Sequence, residues 1–499
     1  MLSAEIACSD VDETGPPSLG WMLHPDSAKR PHPSDQSLET PAAPTRGNQS
    51  ALKRHMRLRS ATALVIANMI GAGIFTTTGF QAADVRHPLF IFALWVIGGT
   101  LALLGALCYA ELGAMMPRAG AEYVYLRETY GPAVGFMSAW VSLVAGFSAP
   151  IAAALKAFVI YLGHFFPFLA EDPSLGGVVA VIDLIAVGLV WLLVAIHLRA
   201  VRSGTGFNDF MTAFKVGGIV LIILAAASIG RGDVSNLITV SPSFQELSRA
   251  DTLAAFGTSL IFVMFCFAGY NAAAYVASEM EHPQRDLPRA LLLGTATVLV
   301  LYLGLNAVYF YGASADELAG QVEVGLVASR ALFGPPGVSM VTIVLCASIL
   351  ASASAMTLVG PRVYYALGKD FTPFAFLSRT RRTGAPALAL IIQGIVTSVI
   401  IVSGRVDQIQ QYAGFTLTLF ASLAVSCVIV LRVRSPEIER PFRAWGYPIS
   451  PVLFLAVSGW MMFWAFQGRP VESVLSLVTV FLGGLVFALF VRRGSSGER

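Results

Sequence analysis

Long apolar runs alternate with short polar interruptions from about residue 60 to the end of this chain. A helix needs about 20 mostly apolar residues to cross a hydrocarbon core. Twelve stretches approach that requirement: Ser60–Ala82, Leu89–Met115, Pro132–Leu162, Val178–His197, Asp209–Ile229, Leu253–Met280, Arg289–Tyr311, Val338–Leu367, Ala387–Ser403, Gln408–Leu431, Ile449–Phe466 and Val471–Phe490. The ninth and eleventh are short. The pattern predicts an all-α integral membrane protein with about 12 transmembrane helices.

Composition agrees. Of 499 residues, 56% are hydrophobic and 13% charged, whereas a soluble domain carries about 25% charged residues. Too little polar surface exists to cover a water-soluble globule of this size. Residues 1–55 stand apart, rich in Pro, Ser, Asp and Glu and without a long apolar run, and are expected to form a disordered cytoplasmic tail. Their start lacks the basic stretch and apolar core of a secretory signal.

Lys and Arg gather in alternate loops, as in Lys53, Arg54, Arg57 and Arg59, or Arg379, Arg381 and Arg382; the intervening loops hold few, Arg86, Arg231, Arg249, Arg330, Arg405 and Arg469. Short cytoplasmic loops retain positive charge, so both termini are expected on the cytoplasmic side of a cell membrane. A net charge of +3 gives no reason to expect a nucleic-acid partner. Cys8, Cys108, Cys266, Cys346 and Cys427 show neither metal-ligand nor CxxC spacing. No metal or cofactor is expected.

Two spans carry interruptions near their centres. In the first, Ala67-Asn68-Met69-Ile70-Gly71-Ala72-Gly73-Ile74-Phe75 places two glycines one residue apart; in the sixth, Phe265-Cys266-Phe267-Ala268-Gly269-Tyr270-Asn271 combines Gly269 with a polar residue. Each glycine costs a helix about 1 kcal/mol against alanine. Small residues also serve close helix packing, but corresponding interruptions in two halves point to a transporter site built from inverted repeats. Unwound backbone is tolerated at that depth only where it lines a protected cavity. The second half of the first span would present its positive end at Gly71–Ile74, suiting a carboxylate. Carbonyls near Phe265–Ala268 would suit an ammonium group.

GAGIF in the first span, ELGAMMPRAGAEYVYLRETYGP from Glu111, FAGYNAAAYVASEMEHPQRDLPRAL from Phe267, GPRVYYALGKD from Gly360 and RPFRAWGYP from Arg440 together resemble the amino acid–polyamine–organocation family of permeases, in the branch related to L-type amino acid exchangers. The resemblance implies a leucine-transporter-type 5+5 inverted repeat. On that pattern a core over 56–435 holds repeats at 56–232 and 250–435, and 436–499 adds two C-terminal helices. Alternating access is implied too. Carried over by residue, Met69, Ile70, Gly71, Ala72 and Gly73 should line the site opposite Cys266, Phe267 and Gly269, with Phe265 as a lid. Lys215 falls where relatives carry a lysine near the second sodium site of sodium-coupled members, which implies sodium-independent transport, and burial makes loss of its proton a candidate coupling step. Ser352 and Ser354 are candidate partners of Lys215.

Other intramembrane charges have plainer expectations. Lys156 is expected to snorkel to the outer interface, and Asp183 and His197 to be interface residues. Glu111, at the end of the second span beside the loop carrying Arg118, is expected to form a cytoplasmic structural pair or gate latch, and Glu279, Glu281 and Arg285 to form a charge network. The absence of an acidic side chain at either break favours neutral L-amino acids, moved by exchange or with protons. Cationic amino acids or polyamines on the same fold, or a non-transporting sensor, are the competing readings. An intramembrane enzyme would need a buried base or metal cluster, and the seven histidines all lie in the tail, in loops or near span ends.

Overall fold

A computed structural model describes residues 56–118, 120–169, 174–175, 179–199, 204–229, 231–241, 248–380 and 386–491. The expected tail, apart from its end, lies outside them. Among the described residues, eleven helices are long and apolar enough to cross a membrane, and Ala387–Ser403 is a shorter apolar helix. The only β-structure among the described residues is a two-residue antiparallel ladder, Ser174–Leu175 with Val179–Ala180, and an isolated bridge from Met56 to Met280.

Burial sorts the spans by position. The apolar window of the first span is 94% buried and that of the last only 11%. Phe481, Phe463, Val452 and Val300 are exposed, an apolar girdle of the kind that faces hydrocarbon. The first span is therefore central and the last peripheral.

The sequence-predicted third span is one helix in register but not in geometry. It runs as α-helix over Pro132–Val141, loosens to a π-helical segment at Ser142–Ser148, and resumes over Ala149–Leu162. Pro150 has no N–H for the carbonyl four residues back, and proline inside a helix commonly forces such a local adjustment. The eighth span belongs to a helix, Val324–Asp370, broken at Gly334, whose φ of 66° is left-handed, just before Pro335 and Pro336. Glycine reaches that region without steric cost.

Two charge expectations are corrected, and Glu111 is given its partner. Lys156 does not snorkel: it is buried, 2.6 Å from Asp183, and donates to the carbonyls of Ile401 and Gly404 at 2.8 Å each. It thus joins the third and fourth spans to the free carbonyl end of the ninth, where a cation is favoured. Asp183 is accordingly a buried partner and no interface residue. His197 is part-buried against Ser354 at 3.0 Å. Glu111 pairs not with Arg118, which takes Glu128, but with Arg432 through both carboxylate oxygens at 2.9 and 2.5 Å. It also accepts the Ala444 N–H at 2.7 Å. The loop after the tenth span is pinned to the second span by this one carboxylate. Around the sixth-span exit, Glu279 meets Arg362, Glu281 meets Arg57 and Arg285 meets Asp286. The Arg57 pair is exposed and worth little.

Breaking the Lys156 pair leaves Asp183 buried and alone, which costs about 3–5 kcal/mol. Lys156→Met is expected to lower the melting temperature of the purified protein in detergent, and Lys156→Met with Asp183→Leu to recover part of the loss. Equal melting of the wild type and the single variant would show that the pair carries no stability.

Candidate functional site

The two interrupted spans meet break to break. Helix Leu58–Met69 ends at Ile70 (ψ 91°) and Gly71 (φ −132°, ψ −156°) before helix Ala72–Asp84 begins. In the sixth span the α-helix Arg249–Phe267 tightens into a 3-10 segment, Ala268–Glu279, with non-helical geometry at Val276. A Cβ on Gly269 would lie 2.6 Å from the backbone carbon of Asn68 and 2.8 Å from the Met69 nitrogen. One on Gly73 would lie 2.7 Å from Cys266 Sγ. The glycines are what let the two backbones touch.

Interrupting the first span frees carbonyls, and particular side chains take them up. Lys215, buried on the fifth span, donates to Ala67 O and Ile70 O at 3.1 Å each. Ser352 donates to Ala67 O at 3.4 Å. Ser354 does not join them; it is bonded to His197, because two residues along a helix turns a side chain to another face. Tyr302 Oη, on the seventh span, lies 2.6 Å from Met69 O and 3.1 Å from Cys266 O. Its proton is shared between one carbonyl of each break. Nothing in the local sequence around Tyr302 marks it for this role.

Between the breaks and the third span lies a cavity of ≈870 Å³, counting its open mouth. Met69, Gly71, Ala72 and Gly73 form one wall, and Phe265, Cys266, Ala268 and Gly269 the facing one. The π-helical segment supplies Ser142, Gly146 and Phe147, and the eighth span adds Ser352 and Met356. Two sequence-predicted lining residues stand elsewhere. Ile70 is fully buried with its carbonyl on Lys215, and Phe267 packs its ring on Tyr302 and Trp95 at 5.1 and 6.2 Å. The first-turn N–H groups of Ala72–Asp84 have no intrahelical acceptor and stand at the cavity wall with the helix's positive end. Beyond them, Gln410 of the tenth span donates to Thr76 at 2.8 Å and accepts from Thr77 at 3.2 Å.

A carboxylate that sequence reasoning passed over also lines this cavity. Glu122 opens the short helix Glu122–Tyr130, which lies between the second and third spans. It is 6% exposed and makes no ion pair among the described residues. Its oxygens accept from Tyr109 at 2.7 Å and from Ser138 at 3.5 Å. Burial pushes its carboxyl up to about 7, against the lowering pull of the Tyr109 and Ser138 hydroxyls. Because the folded chain holds this proton more tightly than an exposed glutamate would, folding stability falls as pH rises from the ordinary carboxylate range through about 7.

The comparisons agree with this architecture. A family model described as amino acid permease matches residues 57–488. The mouse b(0,+)-type amino acid transporter 1 is 26% identical, covering 88% of each chain. The human large neutral amino acids transporter small subunit 2 is 26% identical over 94% of this chain and 86% of its own. The human cystine/glutamate transporter is 27% identical over 88% and 86%. With nearly every described residue inside the match, this chain belongs to the amino acid permease family.

Proposed function

We propose that the protein carries neutral L-amino acids across a cell membrane by alternating access, without sodium. One observation bears most of the weight: the start of the second half-helix of the first span faces the sixth-span break across a single cavity. Free N–H groups and a positive helix end on one side suit the carboxylate of a zwitterion. Carbonyls at the turn into the 3-10 segment, each with a spare lone pair, suit its ammonium group. Side-chain charge at the breaks is then unnecessary. The family membership and the similarity to amino acid transporters favour the same class of substrate.

Lys215 supports the sodium-independent part of this reading. Its ammonium already neutralises the carbonyls of Ala67 and Ile70, the kind of oxygen pair that would otherwise attract a cation. The positive charge of alternate loops supports a cytoplasmic position for both termini, and a 5+5 repeat would set the first and sixth spans in equivalent positions. A second reading, cationic substrates, is favoured by the Glu122 carboxylate in the same cavity.

Reconstitution in liposomes with a panel of labelled amino acids tests the proposal. Labelled neutral L-amino acids are expected to enter equally in sodium and choline media, and faster than L-lysine or L-arginine. Preloading with unlabelled substrate and imposing a pH gradient separate exchange from proton coupling. Sodium-dependent uptake, or no uptake of any member of the panel, would defeat the proposal.

A further inference from the structure

We propose that Glu122 is a proton-binding site of the transport cavity, so that a proton is taken up and released there in step with the amino acid. The inference rests on the transport reading above and adds the coupling group to it.

The geometry carries it. A buried carboxylate normally has a cation beside it, because an uncompensated buried charge is costly. Here the nearby arginines are engaged elsewhere: Arg127 of the same helix with Asp370, and Arg118 with Glu128. The groups that face Glu122 are Tyr109 from the second span, Ser138 from the third, Tyr270 and Tyr275 from the 3-10 segment, Cys427 from the tenth, and Tyr125 on its own helix. None carries charge near neutral pH. Among the described residues, the compensation for the anion is two hydroxyl donors and the first turn of a nine-residue helix.

Such a cage serves both protonation states. The anion accepts from Tyr109 and Ser138. The acid form needs an acceptor for its own O–H, and the buried hydroxyl of Tyr125, on the same helix, has no hydrogen-bond partner among the described residues. Water entering the open cavity hydrates the anion, and closing the cavity removes that water. Closure over a substrate therefore favours the protonated acid, and by linkage protonation favours the closed, substrate-bound state. The proton comes from water on whichever side the cavity is open and returns to water on the other. No bond other than O–H is made or broken.

The test uses the full chain in liposomes filled with a pH-sensitive dye, with labelled L-leucine or the fastest neutral amino acid of the panel added outside. In the wild type, uptake is expected to acidify the lumen, and apparent affinity to rise as external pH falls from 8 to 6, by at most about tenfold per unit for one linked proton. Glu122→Gln imitates the protonated acid. It should bind at pH 8 as the wild type binds at pH 6, lose its pH dependence and leave the dye silent. Tyr109→Phe is a second variant that keeps the carboxyl. Losing a donor to the anion should move the midpoint of the pH profile upward by roughly one unit. Label uptake by the wild type with a silent dye would overturn the inference while leaving transport intact. So would an unmoved midpoint in Tyr109→Phe, or a Glu122→Gln variant that keeps its pH profile and loses only L-lysine and L-arginine. If no amino acid enters with the wild type, the transport reading itself has failed.

Discussion

Replacing Gly269 with alanine is expected to reduce amino acid uptake to background while the protein still reaches the membrane. The added methyl would sit 2.6 Å from the backbone carbon of Asn68 and 2.8 Å from the nitrogen of Met69, and backbone cannot turn aside as a side-chain tip can. Relief requires the two breaks to separate, which carries the Met69 and Cys266 carbonyls away from the hydroxyl of Tyr302 that joins them. Overpacking of a filled interior costs about 1–3 kcal/mol in stability, within reach of a protein that remains folded. The loss of function should be far larger, since catalytic or transport geometry displaced by about 1 Å forfeits on the order of a hundredfold. Gly73→Ala meets chiefly Cys266 Sγ, at 2.7 Å, with its Cα 3.3 Å away. It should be milder than Gly269→Ala, and Gly73→Val, whose branches reach past the sulfur, should match it. Gly459 on the eleventh span has nothing within 4 Å of its would-be Cβ, so Gly459→Ala serves as the control and should transport normally. Uptake would be measured against the amount of monodisperse protein recovered. Near-normal uptake by Gly269→Ala would show that contact between the breaks is not what holds the site.

The interruptions were legible in the sequence because glycine leaves its mark locally. Gly71 and Gly73 within one turn weaken a helix wherever the rest of the chain goes, and Gly269 does the same beside Asn271. Lys215 was legible for a similar reason: an ammonium amid MTAFKVGGIV has to find oxygen, and unwound carbonyls are the nearest source. What escaped was decided by distant residues. Counting residues along the third span placed Lys156 near an end, but only the fold brings Asp183 and the terminus of the ninth span against it. Glu111 called for a structural partner, but only the fold brings Arg432 of the tenth span to it. Ser352 and Ser354 looked interchangeable until helical direction sent one to Ala67 O and the other to His197. Glu122 was passed over because it falls between the second and third predicted spans. Only packing under Tyr109 and the 3-10 segment converts that loop glutamate into part of a cavity wall. The π-helical wall was equally hidden, since Pro150 announces a local disturbance without saying which way the third span will open.

Lys215 gives the second large effect. Lys215→Ala and Lys215→Met are both expected to slow exchange by about ten- to a hundredfold. Each hydrogen bond from a charged donor is worth roughly 1.5–3 kcal/mol, and two are lost, to Ala67 O and Ile70 O. Part of that loss is recovered by water, and about 1.4 kcal/mol corresponds to each factor of ten in rate. Comparing the two variants separates charge from bulk. Methionine fills nearly the same space without a donor, so a requirement for packing alone predicts that Lys215→Met transports well and Lys215→Ala does not. A requirement for the ammonium predicts that both fail alike, with Ser352 still holding Ala67 O but nothing holding Ile70 O. Lys215→Arg keeps the charge yet should also fail, because a planar guanidinium cannot converge on two carbonyls from a site shaped for a compact ammonium. Initial rates of labelled amino acid exchange in liposomes decide among these outcomes. Full activity in Lys215→Met would reduce the lysine to a space-filler and leave the Ile70 carbonyl to be satisfied by water at the end of the first half-helix.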